Sequence, residues 1–305
     1  MDRNTVDWKG YIPAITTPFL QNGEIDWKGW EELLYWLVNE GMHGLLVNGT
    51  TGEWFSQTIE EQKELFRTAA KHVDNRIPVI VGCTAYTADQ VVDLAKTATH
   101  VKVSGILVAP PPYVVPNEEE IFTYYKEISD QVDLPICIYN WPRGTKVDLS
   151  VELLSRLAKL DKVVAVKNST PDFGHFIKAF YAVKDEIRYF GFPMNEIGYD
   201  FVKNHGGDGT MGAGAILGRV HPDFYNHLWK GNKEEALKNG QKDVFLFSQF
   251  FNSDFSAKYG SPQSITKEAL NLRGLPGGYP RKPILPLTEQ EKELVKATLD
   301  EVEEV

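Results

Sequence analysis

Cysteine is almost missing from this 305-residue chain: there are two, Cys83 and Cys137, each inside an apolar run. Two thiols cannot supply a disulfide framework or a cysteine zinc site. Histidine is sparse as well. The seven present show no paired ligand spacing, so no metal site is expected, and His175, His205 and His221 read as caps or surface groups. No apolar stretch approaches the roughly 20 residues needed to cross a bilayer. The polar start, Met1-Asp2-Arg3-Asn4-Thr5-Val6-Asp7, lacks the apolar centre of a secretory signal, so a cytoplasmic protein without a membrane partner is expected. Positive charge is in deficit, with 32 Lys+Arg against 42 Asp+Glu and a net charge of −10. That balance removes any general attraction to a phosphate backbone and argues against a nucleic-acid partner. It still permits a local pocket for a small anion.

What is present is an ordinary globular composition, 42% hydrophobic and 12% aromatic. Short β-rich runs fall at 11–15, 44–47, 77–81, 105–108, 135–139, 163–166, 188–191 and, more weakly, 209–212. They are continuously apolar rather than alternating, as suits parallel strands covered on both faces. Amphipathic segments separate them. In 59–73, Leu65, Phe66, Ala69 and Ala70 share one face, and Thr58 with Glu61 forms a capping-box start. Eight strands at a spacing of roughly 30 residues predict a (β/α)₈ TIM barrel. A doubly wound sheet is the competing architecture, but Thr16-Thr17-Pro18-Phe19 stands where its dinucleotide loop belongs. The glycine-rich stretch 212–218 lacks the acidic partner such a loop needs. Residues 1–220 are thus expected to be a catalytic barrel. Residues 221–305, reading as helices over 221–258 and 261–304, are expected to be a C-terminal helical region.

In a barrel the chemistry sits where strands end. Strand two ends in Asn48-Gly49-Thr50-Thr51-Gly52-Glu53. Its glycines let backbone approach a ligand, and its hydroxyls and N–H groups can bind a carboxylate; a plain capped turn is the alternative. Strand five ends in Tyr139-Asn140-Trp141-Pro142, where the phenol is either a proton donor and acceptor or a structural hydrogen-bonding group. Strand six delivers Lys167 after four apolar residues. Desolvation there lowers an amine's pKa and makes it a nucleophile, whereas a solvated strand-end lysine does nothing chemical.

Taken together, Thr16-Thr17-Pro18-Phe19, Gly49-Thr50-Thr51-Gly52-Glu53, Tyr139-Asn140-Trp141-Pro142 and Val166-Lys167 resemble the dihydrodipicolinate synthase/N-acetylneuraminate lyase family of class I aldolases. The resemblance runs over about 11–218 and more loosely beyond. It implies that Lys167 forms an imine with a 2-oxo acid such as pyruvate. The Schiff base is covalent, so neither metal nor organic cofactor is implied. Tyr139 would shuttle protons, and Thr50 would link it into a relay. Thr51 and nearby N–H groups would hold the 2-oxo acid carboxylate. Tyr113, in Pro110-Pro111-Pro112-Tyr113, matches a tyrosine lent by a neighbouring subunit, which implies a homotetramer built from dimers. Gly49, Gly191, Met211, Trp141 and Arg143 would line the substrate pocket.

Departures bear on the substrate. The synthases place an arginine two residues after the proline of the Tyr-Asn motif; here that position is Gly144 and the arginine is Arg143. Trp141 narrows the pocket, stacks on a flat substrate or simply packs against the scaffold. Gly52-Glu53-Trp54-Phe55-Ser56 and Pro111-Pro112-Tyr113 look like the branch that dehydrates 5-dehydro-4-deoxyglucarate, yet the polar residues usual after the Tyr-Asn pair are absent. The expectation is therefore a Schiff-base aldolase acting with an unidentified aldehyde. A sugar-acid dehydratase and a non-catalytic 2-oxo acid binding barrel are the alternatives.

Overall fold

A computed structural model describes all of residues 1–305. Eight parallel strands lie side by side: β1 (Gly10–Tyr11), β2 (Leu45–Val47), β3 (Val79–Gly82), β4 (Gly105–Val108), β5 (Ile136–Asn140), β6 (Val163–Asn168), β7 (Arg188–Phe190) and β8 (Gly209–Thr210). Their order, β1-β8-β7-β6-β5-β4-β3-β2, leaves β1 and β2 at the margins. Parallel bridges from Ala14 to Leu46 on one side and to Ala213 on the other bring those margins together. The architecture is the expected (β/α)₈ TIM barrel.

The apolar runs are continuous because both faces are covered. Leu45, Val47, Val79, Val81, Ile106 and Val108 point outward into the helical ring, and Leu46, Ile80 and Leu107 point inward with Trp8 to fill the barrel. Truncating one such residue, for example Leu46→Ala, costs about 2–5 kcal/mol. The expected run 11–15 pairs as a ladder only through Tyr11, because Pro13 has no N–H to donate. Pro78 likewise delays β3 to Val79, although its carbonyl still accepts from Leu45 N at 2.8 Å.

The connecting helices are α1 (Trp27–Asn39), α2 (Ile59–Val73), α3 (Ala88–His100), α4 (Glu118–Gln131), α5 (Pro142–Thr145), α6 (Val151–Leu157), α7 (Phe173–Val183) and α8 (Glu196–Asn204). The capping box of α2 forms as expected: Thr58 Oγ1 accepts from Glu61 N at 3.2 Å, and Glu61 Oε2 accepts from Thr58 N at 2.8 Å. Leu65, Phe66 and Ala69 are buried, with Ala70 at the edge of that face.

Beyond 218 the chain makes four helices, α9 (Val220–Lys230), α10 (Lys233–Phe250), α11 (Pro262–Leu272) and α12 (Glu289–Val302). α9 lies against β1 and sends Phe224, Tyr225 and Leu228 into the core shared by barrel and ring. Phe250, Ile265, Ala269 and Val295 form a separate apolar cluster between α10, α11 and α12. The charged final helix is docked by Val295, Thr298 and Val302. No helix is long and apolar enough to cross a membrane.

Candidate active site

Strands β5 and β6 pair in parallel with Tyr139 directly opposite Lys167. Strict alternation would not deliver that pair. Ile136 and Val163 are partners and both face outward, but the next pair is Cys137 with Ala165, so Val164 is an extra residue. Val164 and Ala165 consequently both face inward, Val166 faces outward, and Lys167 turns into the barrel. A β-bulge re-aims every side chain after it, and here it re-aims the lysine.

Lys167 is 8% exposed, and its Nζ lies 4.5 Å from the centre of the Tyr139 ring. Burial drives its pKa from 10.5 down to about 8, opposed only by the Cys137 thiol. No carboxylate offsets that desolvation. About a tenth of such an amine is neutral at pH 7, roughly 300-fold more than for an ordinary lysine. Burial pushes the Tyr139 phenol well up from its ordinary value, partly countered by the Thr50 and Ser169 hydroxyls beside it. The phenol stays protonated and can donate. Cys137 is pushed up to about 12 by burial and remains a neutral thiol.

Behind this pair lies a polar brace. Asn140 Nδ2 donates to Asp148 Oδ1 at 2.7 Å and to Asn168 Oδ1 at 2.9 Å, while Asn168 Nδ2 donates to Tyr189 Oη at 2.6 Å. These bonds hold the ends of β5 and β6 in fixed register.

The strand ends open into a cavity of about 700 Å³. Lys167, Tyr139, Thr50 and Thr51 line it, and so do Trp141, Arg143, Gly191 and Met211. Gly191 sits at φ 131°, and a Cβ there would lie 2.3 Å from the Asn168 carbonyl oxygen, so only glycine fits. Contrary to expectation Gly49 does not line the cavity: it is buried, and a Cβ there would approach Leu46 Cδ2 to 2.9 Å, so close packing on Leu46 occupies it. Tyr113 is 90% exposed at the tip of the β4–α4 loop, outside the cavity of its own chain.

Three features escaped the sequence reading. Ser169 joins Thr50 beside the phenol; its signal was the polar run Asn168-Ser169-Thr170 directly after Lys167. Gln263 on α11 donates to the Thr50 carbonyl at 3.1 Å, a contact across 213 positions with no local signature. Glu53, read as part of a ligand turn, is fully buried and paired with Lys267 of α11, and it accepts from Arg281 N at 2.8 Å. Burial raises the Glu53 carboxyl and lowers Lys267 to about 8, each opposed by its partner. Arg281 in turn grips Glu61 with two bonds of 2.8 Å. The network ties the Gly-Thr-Thr-Gly-Glu turn to the C-terminal helices. His221 also requires correction, since it is not a surface group but 2% exposed. Its ring stacks on Tyr11 at 4.5 Å, Nε2 accepts from Leu217 N at 3.2 Å, and Nδ1 faces Asp243 at 3.1 Å. Tight packing of α9 on β1 explains the burial.

A family model for the dihydrodipicolinate synthetase family matches residues 7–302. The chain belongs to that family. It is 34% identical over 292 residues to the 4-hydroxy-tetrahydrodipicolinate synthase of Enterococcus faecalis, covering 95% of this chain and 97% of the relative. It is 31% identical over 297 residues to the same enzyme of Phenylobacterium zucineum, covering 96% of each. Among solved structures, chloride-inhibited dihydrodipicolinate synthase from Acinetobacter baumannii complexed with pyruvate superimposes with a TM-score of 0.86 at 27% identity, covering 97% of this chain and 99% of that one. Enzymes of the dihydrodipicolinate synthetase family work through a covalent lysine Schiff base with pyruvate and need no separate cofactor.

Proposed function

We propose that this protein is a Schiff-base aldolase that joins pyruvate to an aldehyde, or cleaves the corresponding product, on Lys167. The observation that carries the reading is a buried lysine with no counter-charge, set opposite a protonated tyrosine at a barrel mouth. In the proposed sequence neutral Lys167 attacks the C2 carbonyl of pyruvate and water leaves, giving the imine. The imine takes up a proton from solvent, and the resulting iminium accepts the electron pair as a C3 proton returns to solvent, giving an enamine. C3 then attacks the aldehyde carbon, and the new alkoxide takes a proton from Tyr139. Water finally hydrolyses the imine and frees the lysine. Thr50 and Ser169 serve the phenol as proton partners. Thr51 and the turn's N–H groups receive the pyruvate carboxylate, with Gly191 keeping backbone close and Met211 covering the apolar side. Tyr113 reaches the relay of a neighbouring copy in a homotetramer, which accounts for a bulky phenol held fully in solvent at φ 80° on a single chain.

The test is borohydride reduction in the presence of pyruvate, followed by peptide mass mapping. A pyruvate-derived adduct on Lys167, with no turnover in the Lys167→Ala variant, is expected. Folded protein that traps no 2-oxo acid would favour a non-catalytic barrel, and trapping confined to longer sugar-derived acids would favour the dehydratase.

A further inference from the structure

Outward from Lys167 the cavity is walled by a run of aromatic rings. The Tyr139 ring beneath Nζ stacks on Trp141 at 5.6 Å and 16°. Trp141 meets Phe255 at 5.8 Å, Phe255 meets Phe247 edge-on at 5.7 Å, and Phe247 meets Phe251 at 5.3 Å. All five rings line the cavity. They arrive from separate places, the end of β5, the last turn of α10 and the 251–260 segment, so no single local pattern produced them.

The backbone is shaped to hold this wall. A Cβ at Gly144 would stand 2.4 Å from both Cδ1 and Nε1 of Trp141, so the indole lies where a side chain at 144 would begin. Phe255 sits at φ 62°, a left-handed conformation that a bulky residue keeps only when its surroundings hold it there. The turn around it supplies the hold: Phe255 N donates to Asn252 O at 2.9 Å, and Asn252 N to Ser256 O at 2.8 Å. The result is a phenyl ring placed across from the indole, with Asp254 facing Arg143 at 3.6 Å.

Charge points the same way. Besides Lys167, the only Arg, Asp or Glu side chains lining the cavity are Arg143 and Asp243. Asp254 faces the first, and His221 faces the second at 3.1 Å. A substrate bearing a second carboxylate would have to draw Arg143 from its partner and bring an extra charge against five rings, which is unfavourable. A flat apolar group loses water on both faces and gains offset or edge-on contacts. The volume, about 700 Å³, exceeds what a three-carbon acid fills and lies within the range of sites for larger organic ligands.

We infer that the outer half of the cavity is an aromatic subsite and that the aldehyde partner is an aryl aldehyde. This rests on the pyruvate–Lys167 reading above and adds the class of the second substrate. The reaction balances as one aryl aldehyde plus one pyruvate giving one 4-aryl-4-hydroxy-2-oxobutanoate. C3 of the enamine forms the bond to the aldehyde carbon, the carbonyl π pair moves to oxygen, and Tyr139 protonates it, the phenolate recovering that proton when the iminium is hydrolysed to ketone and neutral lysine. The water released in forming the imine is taken up again on hydrolysis.

The experiment has two readouts on the full-length protein. Borohydride trapping with pyruvate alone reports the donor half. Product formation from pyruvate with benzaldehyde, glycolaldehyde or succinic semialdehyde, followed by mass spectrometry, reports the acceptor half. Benzaldehyde is expected to have a kcat/KM on the order of tenfold or more above the other two, the discrimination that one well-buried ring contact supplies. Trp141→Ala and Phe255→Ala are each expected to lower the benzaldehyde value on the order of tenfold, mainly through KM. If pyruvate is trapped but glycolaldehyde or succinic semialdehyde is preferred, the aromatic subsite is overturned and the Schiff-base reading stands. It is equally overturned if both variants keep the full benzaldehyde rate. If no pyruvate is trapped on folded protein, the donor reading fails, and this inference with it.

Discussion

A lysine buried without a counter-ion should weaken the fold that houses it, and the size of the effect follows from the structure. In the unfolded chain Lys167 titrates near the ordinary 10.5; in the folded barrel burial lowers it to about 8. At about 1.36 kcal/mol per unit, holding the ammonium inside at pH 7 costs the fold about 3 kcal/mol. Because the folded value lies below the unfolded one, the unfolded state binds more protons between them, and stability rises with pH across that window. The penalty is full below about pH 8 and fades as pH approaches 10.5. Lys167→Met keeps a similar unbranched volume and removes the charge. The variant is expected to be more stable than the parent by about 3 kcal/mol at pH 7, with the gain shrinking toward zero near pH 10.5. Urea unfolding of both proteins at several pH values measures the difference directly, and common effects of alkaline pH cancel in it. A gain that is absent at pH 7, or one that does not change with pH, would refute the claim that the lysine is desolvated and unpaired. The same depressed pKa makes the amine usable, so the stability cost and the proposed nucleophilicity share one cause.

Two more expectations concern residues far from that amine. Removing one partner of the buried Glu53–Lys267 pair, as Glu53→Gln or Lys267→Met, should cost about 3–5 kcal/mol, whereas the double variant should recover much of it; thermal unfolding of all three distinguishes a true pair from two independent polar groups. Tyr113→Asp should shift sedimentation toward smaller species and lower turnover together, and an unchanged oligomer with full activity would remove Tyr113 from both proposed roles.

The barrel was legible because its signal is local and repeated. Continuous runs such as Leu45-Leu46-Val47 and Gly105-Ile106-Leu107-Val108 can be buried on both faces only between a packed interior and a ring of helices. Strand limits were less legible, since Pro13 and Pro78 interrupt pairing without altering apolarity. Most of the predicted pocket residues do line one cavity, because the C-terminal ends of all eight parallel strands open on the same side. The burial of His221 has no local signature, because it depends on which face of α9 meets β1, and that is a distant contact.

Chain order and apolar spacing by themselves determined the fold, the end of the barrel where the candidate site lies and the candidate lysine and tyrosine. Each follows from residues within a few positions of one another. Tertiary structure decided the rest. The bulge at Val164 sets the parity that turns Lys167 inward, and its extra residue has meaning only against the register of β5. Burial without a carboxylate sets the amine's pKa, and that depends on what every neighbouring strand fails to bring. The aromatic wall joins Trp141 to Phe247, Phe251 and Phe255, residues about a hundred positions away, and Gln263 reaches Thr50 across 213. Such contacts are written in no local pattern, because side chains distant in sequence become neighbours only when the chain closes into a barrel and folds its last helices over the mouth.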